Sequence, residues 1–329
     1  MVRKMTTVLY AAAILILFAI PTYAADLKLR LAHPIPVGSL FDSWATQFAD
    51  NLKKLSGSTI TTEVIGGGVL GNPQQMLAQG RAGKLDMWLI DPMGIMMAKE
   101  GRQFAILWAP FLFRDQEHYR KYLESNLFKD MMGDAEKKVG VKYLGVLGDR
   151  SPRAISTTKK PVKVPDDLKG LKVRIPRMPF VADIWKEWGA IPTPIKGSDL
   201  YQALQSGLAD GDDNGVLNLV ERGLDEVLKY FTPINYVHSA IALWMSGQTW
   251  TNLNDQQRRW VLKAVQMVDE GQKDYSELME SFFKKAKAKG ITIVEPELAK
   301  FQAPTAAIIL KYDGKFWPKG LYQKIHELE

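Results

Sequence analysis

The sequence predicts an α/β fold built as two lobes with a ligand cleft between them. Strand-like alternation and helical periodicity take turns from Leu27 onward, the rhythm of a mostly parallel sheet with helices on its faces. That rhythm restarts near Gly148, and no flexible linker separates the two regions. Neither region contains a fixed-period repeat or a low-complexity tract. A gap between two such lobes is the default place for a ligand, and hinge closure is the expected motion.

The elements follow in order. Leu27–Ala32 alternates apolar and basic residues, as a strand does. Phe41, Trp44, Ala45, Phe48, Leu52 and Leu55 share one helical face, which ends near Gly57. Thr59–Ile65 is β-branched and reads as a second strand. Gly66–Gly71 is a loop, Pro73–Gly83 a helix with proline in its first turn, and Leu85–Ile90 a buried strand stopped by Asp91-Pro92. In the second region Ala154–Thr158 and Leu171–Ile175 are strands, and Phe180–Trp188 is a helix. Ser198 and Asp199 are expected to cap the next helix, which carries Leu200, Ala203, Leu204 and Leu208. Leu217–Tyr230 reads as a further helix. Val237–Met245 is an uncharged apolar strand, expected to be buried on both faces. Asn252 or Asn254 starts a helical stretch towards Gly290, as one helix or two. Ile291–Val294 is a strand, and the tail from Pro304 is helical.

The chain opens on a secretory signal pattern. Arg3 and Lys4 form a basic n-region, Val8–Ile20 is apolar apart from Tyr10, and Thr22 and Ala24 stand where a signal peptidase reads small residues. The 13-residue apolar run is too short for a membrane span, and no Cys follows to carry a lipid. Cleavage is expected after Ala24, leaving 305 residues with an ample core. The formal charge of +7 falls to +5 without Arg3 and Lys4, and charges of both signs are interspersed. That pattern argues against a nucleic-acid partner and is compatible with a small anionic ligand. The absence of Cys excludes thiol catalysis, Cys-type zinc sites and disulfides, and suits an envelope protein stabilised by its core.

The strongest candidate chemistry lies between Gly170 and Gly215. In Leu171-Lys-Val-Arg-Ile-Pro176, Val173 and Ile175 face one side of the strand and Arg174 the other. A guanidinium at a strand end is a rigid, permanently charged fork that suits a carboxylate, although a lone arginine is more often a surface residue. Asp210-Gly-Asp-Asp-Asn-Gly215 followed by Glu221 fits a calcium-loop pattern, yet it stands alone and Glu221 falls inside a regular helix. Gly66–Gly71 lacks the Gly-Lys-Ser/Thr of a phosphate cradle. His33, His118, His238 and His326 are scattered, and neither His-Glu-x-x-His nor Gly-x-Ser-x-Gly occurs, so no enzyme motif and no cofactor site is indicated. Trp44 and Trp260 lie on helix core faces; Trp88, Trp108, Trp185 and Trp244 fit either core or an aromatic-walled pocket.

The run from Leu168 to Asn214, with Leu-Lys-Gly-Leu-Lys-Val-Arg-Ile-Pro, Gly-Ala-Ile-Pro-Thr-Pro and Asp-Leu-Tyr-Gln-Ala-Leu-Gln-Ser-Gly-Leu-Ala-Asp-Gly-Asp-Asp-Asn, resembles the signature of the DctP-type solute receptors of tripartite ATP-independent periplasmic (TRAP) transporters. Val69-Leu-Gly71, Ala82–Asp86, Pro110–Phe113 and Glu226–Tyr230 extend the likeness more loosely. The resemblance implies a periplasmic-binding-protein-like α/β fold whose two lobes, joined by strands and a long helix, close on an organic acid. It places 1–24 as signal peptide, 25–150 and 239–279 in lobe I, and 151–238 and 280–329 in lobe II. It implies a periplasmic monomer that delivers its ligand to small and large membrane permease subunits, without ATP. Arg174 matches the family's carboxylate-pairing arginine; Arg153 resembles its second arginine, with Arg150 the rival; Asn214 matches its pocket asparagine. His33 and Asp91 fall at ligand-touching positions, and Arg177, Met178 and Tyr236 are neighbours by the same reasoning. Gly197 stands where some relatives have an aromatic residue, and Gly215 where proline is usual, which bears on ligand size and polarity. Gly197 and the nine Trp point towards a bulky or aromatic monocarboxylate, with sugar acids, keto acids and dicarboxylates left open. A bridging metal at Asp213, a sensory receptor and a secreted enzyme on the same scaffold are the competing readings.

Overall fold

The computed structural model describes residues 26–272 and 274–329; the signal segment 1–24 and its cleavage position lie outside the described residues. In chain order the elements are β1 (Leu27–Ala32), α1 (Leu40–Leu55), β2 (Ile60–Ile65), α2 (Pro73–Arg81), β3 (Met87–Ile90), α3 (Gln116–Glu124), α4 (Asn126–Val139), β4 (Val141–Asp149), β5 (Ile155–Thr157), β6 (Lys172–Ile175), α5 (Pro179–Glu187), β7 (Ile191–Pro194), α6 (Leu200–Gln205), β8 (Gly211–Asp212), α7 (Val216–Glu221), β9 (Tyr230–Thr232), β10 (Ala240–Ser246), α8 (Gly247–Asn252), α9 (Asp255–Glu270), α10 (Tyr275–Ala288), β11 (Thr292–Ile293), α11 (Leu298–Gln302), α12 (Thr305–Tyr312) and α13 (Leu321–His326).

Strand alternation produces two sheets, ordered β2-β1-β3-β10-β4 and β11-β9-β5-β8-β6-β7. In the first, β1 runs parallel to β2 and β3, while β10 is antiparallel to β3 and β4. All of β10 is buried, as its uncharged sequence requires. In the second, β6 is parallel to β7 and β8, and β5 is antiparallel to β8 and β9.

The chain passes from one sheet to the other between β10 and β11, by way of α8–α10, and at two strand crossings, β4–β5 and β9–β10. These two crossings bond to each other: Arg150 N donates to Ser239 O at 3.1 Å, Arg153 N to Val237 O at 2.9 Å, and Tyr236 N to Arg153 O at 3.1 Å. Sequence-distant side chains at 150, 153 and 236 are thereby fixed at the boundary between the sheets.

Core packing explains the tryptophans. Trp44, Trp88, Trp185, Trp188 and Trp244 are all essentially unexposed. Trp88 and Trp244 from the first sheet share one apolar cluster with Trp185 on α5 and Trp188 at its C-terminal end. Each large buried aromatic adds roughly 1.5–3 kcal/mol of transfer free energy. The aromatic wealth is core, so the tryptophan count carries no information about a bulky ligand.

Several expectations change. The helix foreseen for Leu217–Tyr230 ends at Glu221; Gly223 takes the left-handed conformation (φ 63°), and Tyr230 pairs with Thr157 as part of β9. Neither Ser198 nor Asp199 caps α6 with its side chain: the Ser198 hydroxyl donates to Asp199 instead. The stretch towards Gly290 is two helices. Asn254, in a reciprocal capping box with Gln257, starts α9, and Asp274 caps α10 by accepting from Ser276 N and Glu277 N. β7, which carries Pro192 and Pro194, sits at the sheet edge, where proline is tolerated and strand patterning is weak.

Candidate functional site

Arg174 lies on β6 opposite Asp212 of β8 and Thr193 of β7. Its side chain leaves the face occupied by Val173 and Ile175, and only 7% of the residue is exposed. Nε donates to Ile195 O at 3.0 Å. Nη1 lies 3.6 Å from Asp212 Oδ1 and 3.7 Å from Asp213 Oδ1, beyond hydrogen-bond reach of either. The fork is positioned by backbone at its base and held near two acids, with its outer nitrogens still able to donate.

The acidic segment after β8 is organised by its neighbours. Asp212 Oδ2 accepts from the Asn214 backbone N at 3.2 Å and from Asn214 Nδ2 at 2.8 Å, which fixes the asparagine amide. Asp213, fully buried, forms an ion pair with Arg153 (Nη1–Oδ2, 2.8 Å) and accepts from the Tyr236 hydroxyl at 3.1 Å, while Arg153 Nη1 donates to the Asp213 backbone carbonyl at 3.3 Å. The Arg153 guanidinium lies 4.0 Å from the centroid of the Trp108 ring. Burial pushes the Asp212 carboxyl above the usual range; the Arg174 charge opposes this and the Asp213 charge adds to it. Burial, the largest single influence, works against the Arg153 charge, but Asp213 together with Tyr236, Asp91 and Asp212 outweighs it and holds the guanidinium above the ordinary arginine value. Burial and the Asp213 charge together raise the Tyr236 phenol well above its usual value.

Both candidate second arginines are near the boundary, with different partners. Arg150 Nη1 donates to both oxygens of Asp91, at 2.9 and 2.7 Å. Arg153 goes to Asp213. His33 is unexposed and lies 2.9 Å from Asp42 Oδ1 through Nε2, while Nδ1 has no partner among the described residues. A β-carbon on Gly66 would stand 2.7 Å from the His33 ring, so glycine there is a packing requirement. Met178 is partly buried against the apolar core, and Arg177 is exposed beyond the end of β6. At Gly215 a β-carbon would meet Pro152 O and Ser151 Oγ at 2.3 Å, so the crossing strand leaves no room for a side chain after Asn214.

Sequence reasoning missed Asp42 and Arg222; it offered Trp108 as core or pocket wall, and singled out Glu221 only as part of a calcium-like pattern. Glu221, the last position of the calcium-like pattern, accepts a hydrogen bond from Leu40 N, the first residue of α1, at 2.7 Å. Arg222 follows it, donates through Nη1 to Gly197 O at 3.2 Å, and lies near Arg174. Both residues fell within an expected helix, and nothing in the local pattern around Arg222 marks it out. Among the described residues no three His or acidic side chains gather to hold a metal, and Asp213 already has Arg153 and Tyr236 as partners. Open cavities of about 310 and 280 Å³ lie elsewhere, at Arg102–Phe316 and behind the crossings at His238–Tyr275.

A buried, incompletely bonded guanidinium between two sheets, with polar groups fixed around it, is chemically suited to receive an acid and offers no nucleophile. Comparison with known proteins is consistent with that chemistry. Residues 31–315 match the bacterial extracellular solute-binding proteins, family 7 (DctP). The chain is 27% identical over 306 residues to the sialic acid-binding periplasmic protein of Vibrio cholerae, covering 92% of this chain and 93% of that one. It is 26% identical over 291 residues to a solute-binding protein of Roseobacter denitrificans, covering 88% and 87%. A TRAP periplasmic solute-binding protein of Pseudomonas putida, solved with bound D-glucuronate, superposes with a TM-score of 0.83 at 25% identity, covering 92% and 98%. Among the described residues no helix is long and apolar enough to cross a membrane.

Proposed function

Because the chain belongs to family 7 of the bacterial extracellular solute-binding proteins, a family of binding receptors rather than enzymes, we propose that it is a TRAP receptor that captures a small organic acid between its two sheets. The observation that carries this reading is Arg174: 7% exposed, anchored through Nε, and with no acceptor at hydrogen-bond distance from its terminal nitrogens among the described residues. A buried guanidinium in that state gains most from a carboxylate. Related structures were solved with D-glucuronate, L-galactonate and succinate, all carboxylates. In this reading Arg174 pairs the carboxylate, while Asn214, Tyr236 and Arg153 keep the acidic segment in place. Asp91, His33, Met178, Arg177 and Gly197 shape the rest of the pocket.

The lobes are 25–150 with 239–279 and 151–238 with 280–329, and they close by bending at the paired crossings. The receptor works as a periplasmic monomer after cleavage behind Ala24, and passes its ligand to the small and large subunits of an ion-driven permease.

A thermal-shift screen of organic acids, followed by calorimetry, tests the reading. A true ligand at a hundred times its dissociation constant adds about 2.7 kcal/mol of stability. Arg174→Ala weakens binding by about 2–5 kcal/mol. Equal affinity in wild type and variant would remove the basis of the proposal.

A further inference from the structure

The surroundings of Arg174 contain a second guanidinium that the sequence motifs do not account for. Arg222 closes the C-terminal end of α7 and reaches the turn after β7, where its Nη1 donates to Gly197 O at 3.2 Å. A β-carbon built on Gly197 would lie 3.7 Å from Arg174 Nη2 and also 3.7 Å from Arg222 Nη1. The two guanidinium tips therefore flank one small space, kept open because residue 197 has no side chain.

The charges around that space do not balance. Arg150 is paired with Asp91 and Arg153 with Asp213, and Arg174 sits 3.6 Å from Asp212. Arg222 forms no ion pair among the described residues, and Glu221 beside it directs its carboxylate to Leu40 N. Of these four guanidinium groups, Arg222 alone has no carboxylate within 4.0 Å among the described residues. Burial, then the charges of Arg150 and Arg174, pull the Arg222 guanidinium down to about 10, which is the signature of a cation short of a counter-charge. A partly desolvated, uncompensated cation is costly unless an anion arrives to meet it.

We infer that Arg222 is a second carboxylate-binding arginine, and that a single ligand carboxylate is shared between Arg174 and Arg222 over Gly197. The inference rests on the proposed capture of an acid at Arg174 and makes it more specific. One carboxylate makes up the missing negative charge, so the site takes a singly charged acid in preference to a dianion.

The test compares acids with their uncharged amides. D-glucuronate, L-galactonate, D-erythronate and succinate are screened by thermal shift against wild type. The tightest monoacid and its amide are then titrated calorimetrically into wild type, Arg222→Gln, Arg222→Lys and Arg174→Gln. The expected result is a loss of about 30-fold or more in acid affinity for Arg222→Gln, with amide affinity little changed. Arg222→Lys should recover part of the loss, because it restores charge without the fork. The ligand-free melting temperature should stay within about 2 °C of wild type. Succinate should bind wild type more weakly than the monoacid.

If Arg222→Gln lowers acid and amide affinity equally, Arg222 only positions the Gly197 turn and the inference fails. Acid affinity within about threefold of wild type also overturns it, as does a preference for succinate. If no acid shifts the wild-type melt, or Arg174→Gln binds as wild type does, the underlying receptor reading falls instead.

Discussion

Glu221 gives the sharpest prediction about motion. Its carboxylate, on α7 beside the second sheet, accepts from Leu40 N at the start of α1 beside the first, at 2.7 Å. Leu40 N is one of the orphan donors at a helix N-terminus, where an anion is favoured by the helix dipole. Bonds of this kind to a charged group contribute about 1.5–3 kcal/mol when buried. Both partners are only partly buried here, so the lower end applies, about 1.5 kcal/mol. In an open form Leu40 N and the carboxylate would each return to water, so the bond acts on the closed state alone. Glu221→Ala should shift the closed-to-open ratio by about tenfold and weaken ligand affinity by up to that factor. Glu221→Gln keeps an acceptor and loses the charge, and should cost about threefold. Calorimetry measures the affinity, and small-angle scattering with and without ligand measures the compaction. If Glu221→Ala binds within about twofold of wild type and compacts to the same extent, the bond does not act as an interlobe latch.

Two further predictions concern stability. Asp213→Asn leaves Arg153 buried beside Trp108 without its charge partner and should lower the unfolding free energy by about 3 kcal/mol; a loss below about 1 kcal/mol in a urea titration would mean that Asp212 takes over the pairing. His238 is buried beside Gln116, and burial pushes its imidazole down to about 4. Its pKa is lower folded than unfolded, so it contributes stability that is complete above about pH 6.5 and is lost as pH falls towards 4, up to about 3 kcal/mol. His238→Gln should flatten that part of the acid limb, and an unchanged slope between pH 7 and 5 would show that other groups control it.

The sequence by itself determined seven of the eleven strands among the described residues, leaving out β4, β7, β8 and β9, and with them most of the helices and the identity of the main arginine. β1, β2, β6 and β10 were legible because alternation or an uninterrupted apolar run reports local burial directly. Asn254 was legible as a possible cap because capping is decided within one turn. Arg174 could be singled out because strand alternation and the following proline are local facts, and because a long motif surrounds it. Tertiary structure alone decided which charges meet. Arg150 finds Asp91 from 59 residues away and Arg153 finds Asp213 from 60, through two crossings whose backbone pairing no local pattern encodes. Arg222 and Glu221 fall within an expected helix until folding sets them against Gly197 and Leu40. Propensity and periodicity act over a few residues, whereas Coulomb energy and desolvation depend on which groups are brought within a few ångströms in a dry place, and only the packed chain specifies that.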